Sequence, residues 1–517
     1  MRKIIYCSLA LVFLFSCKKT SVTTEEKNNK APELISSTDI DAFIKDQLSQ
    51  HEEFLWSSAS DEMVWSALQQ SDNIMSVGYK PANANNIENN IQNININSAD
   101  WKAARDKVLQ MILQSEQELD ATLTLKSIQQ WDETVLPVID VTVKNYATVK
   151  LLRASNLIRY AEPMGYQPKD ATQQEQKENA IASSSGCDGN PAETGLVAGV
   201  DYTTITPACK QSWNHSYHKI TQAWTKSTGA GTKIFVVDTG CEFDQDNLGS
   251  AFNQGSSTGR TVEKIVTLPR NSIFGIQYGT SETPDDGCGH GTCMAGACAA
   301  PRGIDGAACG IAYNCNLVTC RAAEDVFLDA SREVKGVSDA FTNAGNRADV
   351  KIISMSMGSI TSSSQITDAI NYAYGKGKLI FCAAGTSFGW SASWFGVIFP
   401  ATLSNVNAVT GVRDNNFNTT CTDCHNGSQT DFTIVMERAS NGGHPITLAS
   451  SGDVPSTVGG SSVSTSQAAG IAALVWSRFP TYTRDQVLNK LIQTSANYPT
   501  KSSSLGWGNL NADAATN

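Results

Sequence analysis

The fold of this chain follows from one stretch, Lys233-Ile234-Phe235-Val236-Val237-Asp238-Thr239-Gly240. Four consecutive apolar residues, most of them β-branched or aromatic, predict a strand that is buried on both faces, as in a parallel sheet. Asp238 lies at the carboxyl end of that strand, the edge where ligands and catalytic groups gather in open α/β sheets. The alternative is an Asx-turn that closes the strand.

A second stretch, Asp286-Gly287-Cys288-Gly289-His290-Gly291-Thr292-Cys293-Met294-Ala295-Gly296-Ala297, holds a histidine between glycines, before a helix of small residues. The chain has six histidines, and His290 is the one whose motif is built to hold it. A neutral imidazole that accepts a proton from a nucleophile must be oriented by a third group, and a carboxylate does this best. We therefore expect Asp238 to orient His290.

The third stretch is Gly460-Ser461-Ser462-Val463-Ser464-Thr465-Ser466-Gln467-Ala468-Ala469-Gly470, which leads directly into an apolar helix over Ile471 to Trp476. A serine at a helix N-terminus exposes its hydroxyl among unpaired backbone N–H groups that can stabilise an oxyanion. Ser462 is therefore the candidate nucleophile. Taken alone, a glycine- and serine-rich helix start is more often a plain helix cap.

The order Asp, His, Ser along the chain is that of subtilisin. The three stretches resemble the signature blocks of the subtilisin-like serine proteases, the subtilases. Other parts of the sequence resemble the family too, from about residue 205 to the C-terminus: Trp213 to Trp224, Gly231, Gly310-Ile311-Ala312, Leu317-Val318, Asp349 to Gly358, Phe399-Pro400-Ala401 and Gly506 to Ala512.

The resemblance implies an α/β fold of three layers with a mostly parallel central sheet, preceded by a smaller α+β ferredoxin-like propeptide domain. It implies a serine endopeptidase in which Asp238, His290 and Ser462 act as the triad. The expected domains are a signal peptide (1–16), a tether (17–39), a propeptide-like domain (40–166), a linker with the processing site (167–190) and the catalytic domain (191–517).

The resemblance also implies a binding site. Ser356, Met357 and Gly358 would pair with an extended substrate, while Ala383, Ala384 and Gly385 would form a wall of the pocket for the residue before the scissile bond. Ile398 would narrow that pocket and favour small or medium side chains.

Two positions depart from the family pattern. Thr386 stands where most subtilases have an asparagine that donates to the oxyanion, and a threonine hydroxyl is a shorter donor. Ser466 stands in place of the family's proline, which we expect to loosen the helix start slightly. The first departure predicts a slower enzyme, with catalysis retained.

Composition and the N-terminal residues limit the expected domain size, partners and cellular location. The chain of 517 residues is long enough for one large core and an accessory domain, and its net charge of -11 argues against a nucleic-acid partner. Met1-Arg2-Lys3 and the apolar run from Ile4 to Phe15 predict a signal peptide too short to span a membrane. Because Ser16-Cys17 resembles a bacterial lipobox, we expect lipidation at Cys17; the alternative is an ordinary secretory signal. The expected location is outside the cytoplasm of a bacterium, lipid-anchored at the envelope or secreted.

The segment before the catalytic region shows helical periodicity over Ile40 to Leu68 and Trp101 to Leu119, with Trp101, Val108, Ile112 and Leu119 near one face. The asparagine-rich stretch from Ala82 to Asn97 between them predicts a flexible loop. Strand, helix and strand follow at 137–143, 146–153 and 157–162. In the family such a domain assists folding and inhibits the active site until it is cut away; the alternative is a generic spacer.

Cysteines indicate the redox environment. Cys7 and Cys17 belong to the signal region, and the other twelve lie between Cys187 and Cys424. An even set confined to one domain of an exported protein predicts a disulfide framework of up to six bridges. Bridges from Cys241, Cys288, Cys293 and Cys298 would clamp the loops of Asp238 and His290.

The segment Cys421-Thr422-Asp423-Cys424-His425 matches the attachment motif of c-type haem. A local disulfide or incidental spacing is the favoured interpretation, and a zinc site would lack a complete set of four ligands. The chemistry requires no cofactor. Calcium often stabilises the family, but the sequence shows no cluster of carboxylates that identifies a calcium or other metal site.

The expected partners are peptide or protein substrates, the chain's own propeptide as an inhibitor, and a membrane through the lipid anchor alone. Two other functions remain open. A pseudoprotease that binds peptides without cleaving them would explain Thr386 as decay, and a slow protease dedicated to one precursor would tolerate it.

Overall fold

The structure is a computed structural model that describes residues 31–168, 187, 189–273, 275–386, 396–422 and 424–517. The expected signal peptide, Cys17 and most of the predicted linker lie outside the described residues. Among the helices within those ranges, none combines the length and the apolar character needed to cross a membrane.

The N-terminal part is an α+β unit built around a three-stranded antiparallel sheet with the strand order β2-β1-β3. Its strands are β1 (Ile74–Tyr79), β2 (Val138–Thr142) and β3 (Ile158–Pro163). Its helices are α1 (Ser37–His51), α2 (Asp61–Gln69), α3 (Ala99–Glu116), α4 (Leu125–Ile128) and α5 (Tyr146–Arg153). A ferredoxin-like unit carries a fourth strand; three are present in the described part of this unit.

Helix α5 and strands β2 and β3 confirm the predicted strand, helix and strand, with ends that shift by a residue. The first predicted helix is two helices, because Glu52 ends α1 in a left-handed conformation (φ 58°). The prediction for Leu119 was wrong: α3 ends at Glu116, and Leu119 is 64% exposed. Trp101, Val108 and Ile112 are buried as expected.

Strand β1 was not predicted from the sequence, although all six of its residues are buried. Its sequence is Ile74-Met75-Ser76-Val77-Gly78-Tyr79. The serine and the glycine weaken both the alternating pattern of a half-buried strand and the continuous apolar run of a fully buried one. The asparagine-rich stretch contains one short 3-10 turn, Ile91–Asn93. Ile87, Ile91 and Ile96 within it are buried, so its alternating isoleucines anchor the loop.

The C-terminal part carries the larger core. Its strands are β4 (Tyr202–Ile205), β5 (Cys209–Ser212), β6 (Lys233–Asp238), β7 (Val262–Val266), β8 (Asn271–Ile273), β9 (Ile276–Tyr278), β10 (Asn316–Arg321), β11 (Ile352–Met355), β12 (Leu379–Ala383), β13 (Asn407–Arg413), β14 (Thr430–Glu437), β15 (Ile446–Thr447) and β16 (Ser456–Thr457). Its helices are α6 (Ile220–Ala223), α7 (His290–Ala299), α8 (Ser331–Asn346), α9 (Ser364–Gly375), α10 (Gly460–Arg478), α11 (Arg484–Thr494) and α12 (Ala512–Ala515).

Seven of these strands form one parallel sheet in the order β14-β13-β12-β11-β6-β10-β7. The chain runs from β10 on one side of β6 to β11 on its other side, so the strand order reverses at β6. In open parallel sheets a ligand crevice forms at the carboxyl ends of the strands at such a reversal. Asp238 is the last residue of β6, which places its side chain at that crevice.

Helices cover both faces of the sheet, which gives the predicted three layers. Ile234 and Val236 of β6 pack in one apolar cluster with α7 and α10. Phe235 and Val237 point to the other face and pack in a second cluster with α8 and α9. The apolar run of β6 therefore contributes to both cores, as a strand buried on both faces must.

The α+β unit packs on the outer side of α8 and α9. Ile74, Trp131 and Met164 belong to the same apolar cluster as these helices. Polar contacts follow: the Arg159 guanidinium donates to both Asp368 carboxylate oxygens at 2.8 and 2.6 Å. Both members of this pair are buried, so the junction is a true interface.

Candidate active site

Asp238 is fully buried at the end of β6. Its Oδ1 accepts a hydrogen bond from the amide of Thr239 at 2.9 Å, which is the local turn that an Asx motif predicts. The same oxygen lies 2.7 Å from Nδ1 of His290. The turn and the contact with His290 therefore coexist, and the two interpretations of Asp238 do not compete.

His290 is the first residue of α7 and is buried. Gly289 before it has φ +80°, a left-handed conformation that a side chain would strain, and it turns the chain so that the imidazole faces Asp238. The hydroxyl of Thr239 accepts from the amide of Gly291 at 2.9 Å, which ties the two loops together.

The pKa of His290 lies above the ordinary histidine value. Burial opposes this shift because it disfavours the imidazolium, but the charge and hydrogen bond of Asp238 outweigh burial. An imidazole held this way can accept a proton on its other ring nitrogen and carry the resulting charge.

Asp286 is a residue of this site that the sequence argument did not assign. Its buried carboxylate accepts four of the hydrogen bonds that hold the two loops, from the Thr239 hydroxyl (2.8 Å), the Gly289 amide (2.8 Å), the Thr292 amide (2.8 Å) and the Thr292 hydroxyl (2.7 Å). A carboxylate placed just before a glycine-flanked histidine is the signal that could have identified it.

Ser462 lies near the start of α10, as predicted. Its amide belongs to the first turn of the helix, where N–H groups have no partner within the helix. Gly460, with φ +80°, starts that turn. Ser462 is half-buried and lines one cleft together with His290. Within the described residues its hydroxyl has no hydrogen bond to His290; such bonds are often long in a free enzyme and tighten with substrate.

The cleft also contains most of the predicted binding residues. Its walls are formed by Val326, Phe327, Ser356, Met357, Gly358, Ala383, Gly385, Thr386, Ile398, Val458, Gly459, Gly460 and Ser461, besides the two residues above. Ala384 is buried in the apolar layer behind this wall. The side chain of Ile398 lies so close to Gly358 that a Cβ there would be 2.6 Å from it, which agrees with a narrow pocket.

Phe327 was not anticipated as part of the cleft. It forms a parallel bridge with Gly358, and the Gly358 amide donates to the carbonyl of Val326 at 3.1 Å. The segment Val326-Phe327 thus runs beside Ser356–Gly358 along the cleft. No regular strand pattern marks it in the sequence.

Thr386 points toward the residue before Ser462. Its hydroxyl accepts from the amide of Ser461 at 3.1 Å and lies 2.9 Å from the Ser461 hydroxyl. The amide of Gly385 donates to that same Ser461 hydroxyl at 3.2 Å. The end of β12 is therefore tied to the start of α10 through these hydroxyl groups.

The other histidines differ from His290. Burial lowers the pKa of His215 to about 3, and that of His218 and His425 to about 4. Low values keep these rings neutral at pH 7, and all three are buried. Their state suits a structural role.

The predicted disulfide framework is smaller than expected. Within the described residues there are two bridges, Cys187–Cys288 and Cys421–Cys424. Cys288 thus clamps the His290 loop as predicted, but the expectation for Cys241 and Cys298 was wrong, because both thiols are free and buried. They fill space as small apolar side chains, and burial raises the pKa of the Cys241 thiol to about 12. The buried Cys293 thiol donates to the carbonyl of Leu448 at 3.1 Å.

The Cys421–Cys424 bridge is the local disulfide favoured for the Cys-x-x-Cys-His motif. Because both sulfurs are bonded to each other, neither is available to attach a haem. Among the described side chains, no group of three or more His, Cys, Asp or Glu residues is arranged to hold a metal ion.

Comparison with known proteins gives the chain a family context. Residues 229–508 match the model of the Subtilase family, Peptidase_S8. The chain is 29% identical over 294 residues to subtilisin of Bacillus sp. (strain TA39), which covers 54% of this chain and 64% of that protein. It is 28% identical over 194 residues to thermitase of Thermoactinomyces vulgaris, covering 38% and 60%.

The chain therefore spans a little under two thirds of the length of these relatives. Among solved structures, it is similar to MycP1 from Mycobacterium smegmatis, with 19% identity, a TM-score of 0.45 and coverage of 64% of this chain and 90% of that one.

Proposed function

The chain belongs to the subtilase family, and from that premise we propose that it is a serine endopeptidase that hydrolyses peptide bonds through Asp238, His290 and Ser462. One observation carries the proposal. A buried carboxylate lies 2.7 Å from Nδ1 of His290, and that imidazole shares a cleft with a serine at the start of a helix.

In the proposed reaction, the other ring nitrogen of His290 takes the proton from Ser462 as the hydroxyl oxygen attacks the substrate carbonyl carbon. The His290 imidazolium then gives that proton to the leaving amine as the peptide bond breaks and the acyl-enzyme forms. Water repeats the sequence in the second half, with His290 again as the base, and releases the acid. Asp238 keeps its negative charge throughout and stabilises the imidazolium.

The oxyanion would be stabilised by the backbone amide of Ser462, which has no helical partner. We propose Thr386 as the second donor. Its hydroxyl already accepts from the Ser461 amide, so its own proton remains to be donated. That proton can go to the Ser461 hydroxyl or to the oxyanion, and this choice predicts a weaker oxyanion hole than an asparagine would give.

We propose that an extended substrate pairs with Ser356–Gly358 on one side and with Val326-Phe327 on the other. Backbone pairing gives affinity without sequence preference, so selectivity before the scissile bond would depend on the pocket. Gly385 and Ile398 line that pocket, and the bulk of Ile398 favours small or medium side chains.

Labelling by a fluorophosphonate probe tests the nucleophile. Wild type and Ser464→Ala should react, because the Ser464 hydroxyl only donates to the carbonyl of Gly460 within α10 (2.9 Å). Ser462→Ala should not react. Equal labelling of Ser462→Ala and wild type would refute Ser462, and no labelling of any variant after processing would favour the peptide-binding pseudoprotease. A slow precursor-specific protease would label and yet cleave few peptides.

We further propose that the α+β unit is an inhibitory propeptide. Support comes from its interface with α8 and α9 and from its C-terminal end. The side-chain amide of Gln167 donates to the carbonyl of Leu328 and to the hydroxyl of Ser359, both at 2.7 Å, next to the proposed substrate strand. The chain thus leaves the unit at the cleft, and we expect the processing site within 167–190.

Processing can be followed in the full chain. Wild type should convert to a shorter form over time, whereas Ser462→Ala should stay intact when expressed alone. Conversion of Ser462→Ala at the same rate in a purified sample would contradict self-processing.

We propose that the protein is exported and lipid-anchored through Cys17, on the strength of the residues around it. Mass spectrometry of the envelope fraction should find a diacylated Cys17 as the first residue. Cys17→Ser should shift the protein to the medium. A wild-type N-terminus at another residue, without lipid, would favour the ordinary secretory signal.

We also propose that the substrates are peptides or proteins, that the protein has no nucleic-acid partner, and that the chemistry needs no cofactor.

A further inference from the structure

The residues that follow the predicted linker lie against the turn that carries His290. Cys187 is bonded to Cys288, two residues before His290, and the amide of Gly189 donates to the carbonyl of Cys288 at 3.2 Å. Gly289 has no room for a side chain, because its Cβ would lie 2.7 Å from the carbonyl oxygen of Gly189. We call Cys187 with residues 189–193 the tether segment; it is distinct from the predicted N-terminal tether (17–39).

The tether segment also contacts the loop that leads to Ser462. Three hydrogen bonds join it to residues 450–457: the Ser450 amide to the Asn190 carbonyl at 3.0 Å, the Glu193 amide to the Pro455 carbonyl at 2.9 Å, and the Thr457 hydroxyl to the Glu193 carboxylate. Thr457 directly precedes Val458 and Gly459, which line the cleft. The segment therefore spans from the His290 turn to the approach of the nucleophile.

This position is on the side of the cleft where the residues after the scissile bond would bind. The residues before the scissile bond would pair with Ser356–Gly358, whereas the leaving amine takes its proton from His290. Residues packed on the outside of the His290 turn therefore border the residues after the scissile bond. The tether segment packs on that turn through Cys187 and Gly189, and Thr457 contacts it through Glu193.

Carboxyl groups lie on this side. Glu193 is exposed. The amide of Phe243 donates to Asp285 at 3.0 Å, in the same turn as Cys288. Burial and then the neighbouring Asp285 raise the pKa of Glu242 to about 7, so these carboxylates act on each other. Lys264 is a cation beside them, and its ammonium donates to the carbonyl of Glu242 at 2.6 Å.

From these contacts, and resting on the proposed peptidase function, we propose that the tether segment forms the leaving-group wall of the cleft and that Glu193 selects peptides with cationic side chains just after the scissile bond. The Cys187–Cys288 bridge makes this wall permanent. Cleavage anywhere before Cys187 frees the α+β unit but leaves the tether segment covalently attached beside His290.

Two quenched fluorescent peptides test this inference. They share all residues before the scissile bond and carry either two lysines or two glutamates directly after it; a coumarin amide of the same acyl part has no residues after it. The readout is the ratio of kcat/KM for the lysine peptide to that for the glutamate peptide, measured on the processed enzyme. Changes that affect both peptides equally cancel in this ratio.

Wild type should prefer the lysine peptide by about threefold, the size expected for one exposed charge pair. Glu193→Gln should bring the ratio close to one, and Glu193→Lys should invert it. Asp485→Lys makes the same change of charge at an exposed position on α11 and should keep the wild-type ratio. Salt should reduce the preference, because it screens exposed charges.

The two proposals fail in different ways. Hydrolysis of the coumarin amide together with one common ratio in wild type and both Glu193 variants overturns the role of the tether segment and leaves the peptidase function standing. A processed wild type that hydrolyses none of the three substrates overturns both. A ratio that moves equally in Asp485→Lys and Glu193→Lys would assign the preference to overall charge and overturn the role of Glu193.

Discussion

The hydroxyl oxygens of Thr386 and Ser461 lie 2.9 Å apart, and Ser461 is the residue directly before the proposed nucleophile. This contact joins the end of β12 to the start of α10. Thr386 occupies the position where most of the family has an asparagine, so this contact engages that side chain in a structural hydrogen bond. Either hydroxyl can be the donor in this contact, and where Thr386 donates, the proposed oxyanion competes with Ser461 for the Thr386 proton.

Thr386→Asn should raise kcat. An asparagine amide can reach the oxyanion without losing its other hydrogen bonds, and loss of such a donor in subtilisin costs about 10² to 10³ in kcat, so we expect a gain of about tenfold. Steady-state kinetics on a peptide amide would measure it. Thr386→Val is the matched control and should lower kcat, since it removes the hydroxyl at similar volume. Equal kcat for wild type and both variants would exclude position 386 from the oxyanion hole.

The pH profile should follow His290. Only the neutral imidazole can accept the Ser462 proton, so kcat/KM should rise with pH as His290 loses its proton. Because Asp238 outweighs burial and raises the pKa of His290, this rise should be centred above the ordinary value of about 6.5. Asp238→Asn should move the centre to lower pH and cost about 10⁴ in kcat. A centre that stays in place in Asp238→Asn would assign the titration to another group.

The three residues proposed as the triad could be selected from the sequence because each depends on a short local pattern. A buried strand ends at Asp238, glycines flank His290, and a run of small residues starts the helix of Ser462. Asp286 and Phe327 were missed because their roles depend on which loops meet in space. The cysteines were overinterpreted for the same reason: an even count cannot show that Cys241 packs where no partner thiol reaches it.

The interface of the α+β unit should weaken as pH rises. Asp140 and Glu162 are fully buried there, and burial raises the pKa of each to about 7. A raised pKa means that the bound state favours the protonated carboxyl. That contribution is present in full below the ordinary carboxyl pKa of about 4 and is lost as pH rises through about 7. Gel filtration of processed enzyme should show the unit bound at pH 5.5 and released at pH 8.

Glu162→Gln is the matched test of this pH effect. The side-chain amide imitates a permanently protonated carboxyl, because its oxygen can accept the hydrogen bond from the Ser364 amide. We expect retention of the unit to depend less on pH than in wild type. A wild-type complex that is equally stable at both pH values would contradict the role of these carboxyl groups.

The Cys187–Cys288 bridge should stabilise the catalytic region. It joins positions 101 residues apart, and the chain-entropy model gives about 4.7 kcal/mol of the free energy of unfolding for a loop of about this length. Denaturant unfolding of Cys187→Ser with Cys288→Ser should show this loss. The pair Cys421→Ser and Cys424→Ser is the control, because these residues are 3 apart and close a minimal loop. Equal losses in both double variants would argue against loop length as the cause.

Asp286 should act as a positioning residue for the triad. In Asp286→Ala the amides of Gly289 and Thr292 lose a buried acceptor, at about 1–3 kcal/mol for each unsatisfied donor. The Thr239 hydroxyl would also lose its bond to Asp286 (2.8 Å), so the loops of Asp238 and His290 would be held together less firmly. We therefore expect lower kcat with a nearly unchanged KM, since the substrate strand Ser356–Gly358 is elsewhere. Asp286→Asn keeps an acceptor oxygen and should recover part of kcat. If Asp286 had a purely structural role, Asp286→Ala would yield less folded enzyme, but the folded fraction would keep the wild-type kcat.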